Sequence, residues 1–115
     1  MKRLWLAFLS TIAGLRWAVR HEAAVGQELA VLAAAVPVSL VVSGVGWIRI
    51  ALVGSIMLVL MIELLNTSVE KLCDHLSPAQ NPAIKLVKDL GSAAVFVAIG
   101  LAGMIWLFAL SLLWS

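Results

Sequence analysis

Residues 47–76 read WIRIALVGSIMLVLMIELLNTSVEKLCDHL, and the fold turns on this stretch. Thirteen residues, 50–62, pass without a charge before Glu63. From Glu63 to Leu76 the residues become polar but stay compatible with a helix. A single helix of this length spans about 45 Å, so it should cross a bilayer and protrude into water on one side. At 100° per residue, Glu63, Asn66, Glu70 and Asp74 share an arc of about 80°. Three carboxylates and an amide thus line one edge of one helix, and the deepest of them, Glu63, is costly within a membrane. A polar residue retained there is a candidate functional group rather than decoration. Asp74 has a plainer alternative, a solvated face beyond the membrane.

On either side lie two further apolar runs, 29–45 and 90–114. The second meets the roughly 20 residues a span requires, and Val25 with the stretch to Trp47 extends the first. Gly44 and Gly46 mark a tight turn between the first two spans, and Ser77-Pro78 with Asn81-Pro82 the loop before the third. Pro37 falls inside the first span, where neighbouring helices can satisfy the backbone it frees. Ala94, Ala98 and Ala102 form a small-residue stripe on the third span, suited to close helix approach and expected at an oligomer interface. Trp5, Trp17, Trp47, Trp106 and Trp114 cluster near span ends, as in an aromatic belt.

The N-terminal segment differs. On a helix, Leu4, Phe8, Ile12, Leu15 and Val19 form one stripe with Trp5 beside it, while Lys2, Arg3, Ser10 and Arg20 point elsewhere. This reads as a helix lying in the membrane interface. As a signal peptide its apolar core, 4–9, would be too short. The expected architecture is all-α: an amphipathic surface helix over 1–21, then spans over 24–45, 47–76 and 83–114, in one domain.

Composition agrees. Of the 115 residues, 63% are hydrophobic and 12% charged, about half the charge of a soluble domain. With a mean hydropathy of +1.11, so short a chain cannot cover its own apolar surface. The net charge is +2, yet the basic residues sit at the ends of apolar runs instead of forming a nucleic-acid-binding patch. Lys2, Arg3, Arg16 and Arg20 precede the first span, Lys71, Lys85 and Lys88 flank the second loop, and Arg49 stands alone near the first turn. By this bias the N-terminus and second loop are cytoplasmic and the C-terminus external. Cys73 has no disulfide partner and no metal-ligand pattern around it, and reads as a small apolar filler.

Other polar groups occur at the depth of the carboxylate edge: Glu22, Gln27 and Glu28 before the first span, Lys88, Asp89 and Ser92 at the start of the third. Lys85 and Asp89 are also spaced for an ordinary surface ion pair. His21 has no companion at ligand spacing and reads as an interfacial histidine. Carboxylates at the membrane surface, with a lysine and no His/Cys set, suit a hard cation such as Mg²⁺ completed by phosphates. A buried glutamate just below could take the proton of a lipid hydroxyl. Together these make a layout for phosphoryl transfer, although neither a Gly-x-x-x-x-Gly-Lys loop nor a His-Arg-Asp set is present.

The string from Glu63 to Asp74, the segment Lys88-Asp89-Leu-Gly-Ser92-Ala-Ala-Val, and His21-Glu22-Ala-Ala-Val-Gly-Gln27-Glu28 resemble the prokaryotic diacylglycerol kinases over nearly the whole chain. The resemblance implies an ATP- and Mg²⁺-dependent kinase of the inner membrane of a Gram-negative cell, making phosphatidic acid from diacylglycerol. It also implies a homotrimer with composite sites between protomers. Carried over, Glu63 would be the proton acceptor, and Glu22 and Glu70 would hold the metals. Nucleotide contacts would come from Arg3, Ser10, Glu22, Glu70, Lys88 and Asp89. The lipid site and its support would involve Arg16, Gln27, Glu28, Arg49, Glu63, Asn66, Ser92 and Trp106. Gly26 replaces an arginine of the better-studied members, Leu6 and Ala13 replace lysines, and Ser10 a tyrosine; Ala79-Gln80-Asn81-Pro82 lacks their acidic and histidine side chains.

Within the family, the undecaprenol kinases are the nearest alternative, and Gly91-Ser92 after Lys88-Asp89 looks more like the diacylglycerol branch. A proton-relay or transporter subunit working through Glu63 would have no need of Glu22, Glu70, Lys88 and Asp89. A purely structural protein would leave the buried acid without a role.

Overall fold

The computed structural model describes residues 1–76 and 81–114. Four α-helices follow one another: α1 (Lys2–His21), α2 (Ala23–Val42), α3 (Gly46–Leu76) and α4 (Pro82–Ser111), with a closing 3₁₀ turn over Leu112–Trp114. The last three are long and apolar enough to cross a membrane. The fold is therefore all-α, with three spans preceded by a helix that is not one of them. Helix α3 has 31 residues, matching the continuous helix expected from its sequence.

A single extended residue, Glu22 (φ −123°, ψ 108°), separates α1 from α2. Its N–H still donates to the Ala18 carbonyl at 2.8 Å, so the chain bends at an elbow without losing that bond. No glycine or proline marks the break; hydropathy changes there instead. Between α2 and α3 the glycines play a smaller part than expected. None has positive φ, and Gly46 is already the first residue of α3. The connection is held by Ser43 and Arg49: Ser43 Oγ accepts from the Val45 N–H at 3.0 Å, and Arg49 donates to the carbonyls of Ser43 at 2.6 Å and Leu40 at 3.1 Å. Arg49 thus covers carbonyls that the end of α2 leaves open, and places its charge at the favourable helix terminus. Helix α4 starts as its sequence suggests. Pro82 occupies the first turn, and the Asn81 side chain accepts the Ala83 N–H at 2.9 Å. Ser77, Pro78, Ala79 and Gln80, part of the expected second loop, lie outside the described residues.

Helix α3 is central. It packs against both α2 and α4, which scarcely touch each other. Burial falls in three small clusters. Ala18, Val25 and Leu60 join α1, α2 and α3; Val59, Ala98 and Ala102 join α3 to α4; Val42, Leu52 and Ala109 close the other end. There the Trp106 indole N–H donates to the Leu52 carbonyl at 3.1 Å. The alanine stripe does support close helix approach, but its location corrects the expectation of an oligomer interface. Ala98 and Ala102 are buried against Val59 of the same chain, and Ala94 is exposed. Large apolar side chains instead face outward, among them Val41, Phe96 and Leu107. On α1 only Ala18 is buried, so the stripe of Leu4, Phe8, Ile12 and Val19 has no cover within the chain.

Candidate active site

The elbow at Glu22 points its carboxylate at α3, where Lys71 Nζ lies 3.5 Å away. Lys71 also sits 5.4 Å from the Trp17 ring centroid, and the Trp17 ring stacks on His21. His21 is exposed, with its Nδ1 2.8 Å from the Trp17 carbonyl oxygen. Lys71 therefore bridges the junction of α1 and α2 to α3, beside the packing of Ala18, Val25 and Leu60.

The carboxylate edge of α3, from Glu70 beside Lys71 down to Glu63, faces the same junction. Glu63 and Glu70 are half-buried, and Asn66 between them is 9% exposed. Asn66 Nδ2 donates to Glu70 Oε1 at 3.2 Å, which orients that carboxylate. The charges of Glu70 and Glu22 act on Glu63, and that of Glu63 on Glu28. Four carboxylates from the elbow, α2 and α3 therefore gather in one region. Mutual repulsion of this kind is costly unless a cation or a proton relieves it. Among the described residues two buried atoms here have no hydrogen-bond partner, Glu28 Oε1 and Asn66 Oδ1. Leaving such a group unpaired costs about 1–3 kcal/mol.

Helix α4 completes the polar end. Lys88 donates to Asp74 at 2.6 Å and Lys85 to Asp89 at 2.7 Å. The second pair is the ordinary i,i+4 ion pair that the spacing allowed. Lys88 also feels the charge of Glu70. Both ion pairs are exposed, and pairs of that kind contribute about 0–1 kcal/mol, so their partners can be exchanged for another anion at little cost.

The remaining sequence candidates divide by position. Ser92 is exposed on α4 beside Gly91, Gln27 is exposed on α2, and Arg3, Ser10 and Arg16 are exposed along α1. Arg49 and Trp106 are engaged at the opposite end of the bundle, on the order of 20 Å from the carboxylates by helical rise. Sequence alone does not mark Lys71 or Gly91 as part of a site. Lys71 looks there like one more topogenic lysine, and only the elbow brings Glu22 to it.

Among the described residues, no three His, Cys, Asp or Glu side chains are grouped closely enough to cage an ion. The donors are nevertheless hard oxygens, and Mg²⁺ commonly takes one or two carboxylates with water and phosphate oxygens filling the rest. Glu22 and Glu70 fit that mode.

A multi-pass helical membrane protein with carboxylates and a lysine at the polar end of its spans has the parts of a membrane-embedded phosphotransferase. The sequence pattern of the prokaryotic diacylglycerol kinases matches residues 10–110, and the chain belongs to that family. It is 36% identical over 102 residues to the diacylglycerol kinase of Escherichia coli (strain K12), covering 89% of this chain and 81% of that protein. With the diacylglycerol kinase of Pseudomonas aeruginosa it shares 33% identity over 106 residues, 92% of this chain and 86% of the relative. With that of Haemophilus influenzae it shares 29% over 96 residues, 84% and 81% of the two chains.

Proposed function

We propose that this chain transfers the γ-phosphoryl group of ATP to diacylglycerol, giving phosphatidic acid, and that residues 1–115 act as one kinase unit in the inner membrane. The observation carrying the reading is the carboxylate edge of α3, with Glu63 deepest and Asn66 holding Glu70, in a chain of this family.

Glu63 accepts the proton of the lipid hydroxyl as its oxygen attacks the γ-phosphorus and the bond to the β-phosphate oxygen breaks. Glu22 and Glu70 would hold the Mg²⁺ that travels with ATP, and a cation held there would supply positive charge against the phosphate oxygens. Lys88 leaves Asp74, and Asp89 leaves Lys85, to contact nucleotide, with Arg3 and Ser10 approaching from α1. Glu28, Gln27, Asn66, Ser92 and Arg16 line or flank the lipid headgroup site. Arg49 and Trp106 support it at a distance by fixing α2 and α4 to α3. The polar ends carrying Glu22, Glu70 and Lys88 face the cytoplasm, where ATP is available.

The open side of the helix row favours assembly of several copies. A homotrimer with sites shared between protomers would cover it and supply donors for Glu28 Oε1 and Asn66 Oδ1. The deciding assay offers labelled ATP with diacylglycerol and undecaprenol side by side. Phosphatidic acid as the main product is expected; transfer only to undecaprenol would move the chain to the polyprenol branch of the family.

A further inference from the structure

On α4, Gly91 faces the buried amide of Asn66. A Cβ built on Gly91 overlaps Asn66 Oδ1 and comes within 3.3 Å of its Cγ. Little room exists to relieve that overlap, because Asn66 is 9% exposed and its amide nitrogen is tied to Glu70 Oε1. Further along the same helix, a Cβ on Gly100 or Gly103 would meet nothing within 4 Å. The close approach is therefore particular to the level of the carboxylates and not a general property of α4.

We propose that Gly91 is a positioning residue: by lacking a side chain it lets the Asn66 amide lodge against α4 and hold the Glu70 carboxylate in place. Glycine is the residue that permits such close approach to backbone. A methyl group at Gly91 would force either a wider spacing between α3 and α4 or rotation of Asn66 away from Glu70. The proposal rests on the reading above in which Glu70 carries the cation. Outer-shell partners of this kind tune metal affinity by about 10–100-fold.

The test compares the parent with Gly91→Ala, Gly100→Ala, Asn66→Ala and the Asn66→Ala/Gly91→Ala double variant, each purified in lipid. Two readouts need no turnover: the ¹⁵N resonance of the Asn66 side-chain amide, and the Mg²⁺ concentration giving half-maximal binding of a non-hydrolysable ATP analogue. Gly91→Ala should move the amide resonance and raise the Mg²⁺ requirement about tenfold or more, while Gly100→Ala leaves both within about twofold. In the Asn66→Ala background the added methyl should change the Mg²⁺ requirement by less than about twofold, since its target is gone. Should Gly91→Ala fail to fold, folding of the double variant supports the contact, and failure of both overturns it. Unchanged amide resonance and Mg²⁺ response in Gly91→Ala, or an equal effect in both backgrounds, would also overturn it. A parent that binds the nucleotide but never phosphorylates diacylglycerol would instead sink the functional reading and leave the Gly91 result standing.

Discussion

Glu22 and Glu70 come from different elements, the elbow after α1 and the middle of the polar half of α3, yet both act on the charge of Glu63. Each has a substitute partner within the chain, Lys71 for Glu22 and Asn66 for Glu70. A cation bound between them would have to displace or share those partners. Replacing either carboxylate by the neutral amide removes a hard oxygen charge but keeps the shape. Glu22→Gln and Glu70→Gln are each expected to raise the Mg²⁺ concentration needed for activity while thermal unfolding stays close to that of the parent. Coincident Mg²⁺ titrations for both variants and the parent would remove them from the metal site. Much of this region could be read from sequence because one helix carries Glu63, Asn66, Glu70 and Asp74 at helical spacing. Contacts between helices could not. Nothing in the string near Gly91 says which α3 residue it meets, and nothing near Lys71 says that it meets Glu22.

The helices themselves follow from hydropathy, since lipid leaves the backbone few options besides a helix. Their ends follow from caps and turns where those are local, as at Asn81-Pro82, and less well where a distant side chain such as Arg49 closes the connection. The alanine stripe shows the limit of periodicity. Spacing reveals a face that permits close packing but does not name the helix packed against it. Because Ala98 and Ala102 meet Val59 within the chain, Ala98→Leu should loosen α3 from α4 in each protomer, costing about 1–3 kcal/mol through overpacking. Thermal or denaturant unfolding in lipid would register this as reduced stability, and an unchanged transition would place Ala98 outside the protomer core. Helix α1 was legible as amphipathic, and its apolar stripe is exposed within the chain.

Over the whole molecule, three spans set in a row around α3 leave broad apolar faces exposed. The proposed function depends on sidedness, because ATP would have to reach the end that carries Glu70 and Lys88. The distribution of Lys and Arg favours a cytoplasmic N-terminus, so a C-terminal fusion to a reporter active only outside the cytoplasm should give signal. Signal instead from a reporter active only inside would reverse the orientation and separate the carboxylates from ATP. In the proposed mechanism the carboxylate edge of α3 delivers a lipid hydroxyl to ATP, with Glu63 taking the proton. Glu63 lies seven positions before Glu70, about 10 Å along the helix axis, which divides a lipid-side group from a metal-side one. The most direct measurement takes ATP affinity and diacylglycerol phosphorylation on the same Glu63→Gln preparation. Affinity should stay within about twofold of the parent while phosphorylation falls by about 10²-fold or more, the loss expected of a general base. Phosphorylation at the parent rate would contradict the assignment outright, and parallel loss of binding and activity would move Glu63 into the nucleotide site.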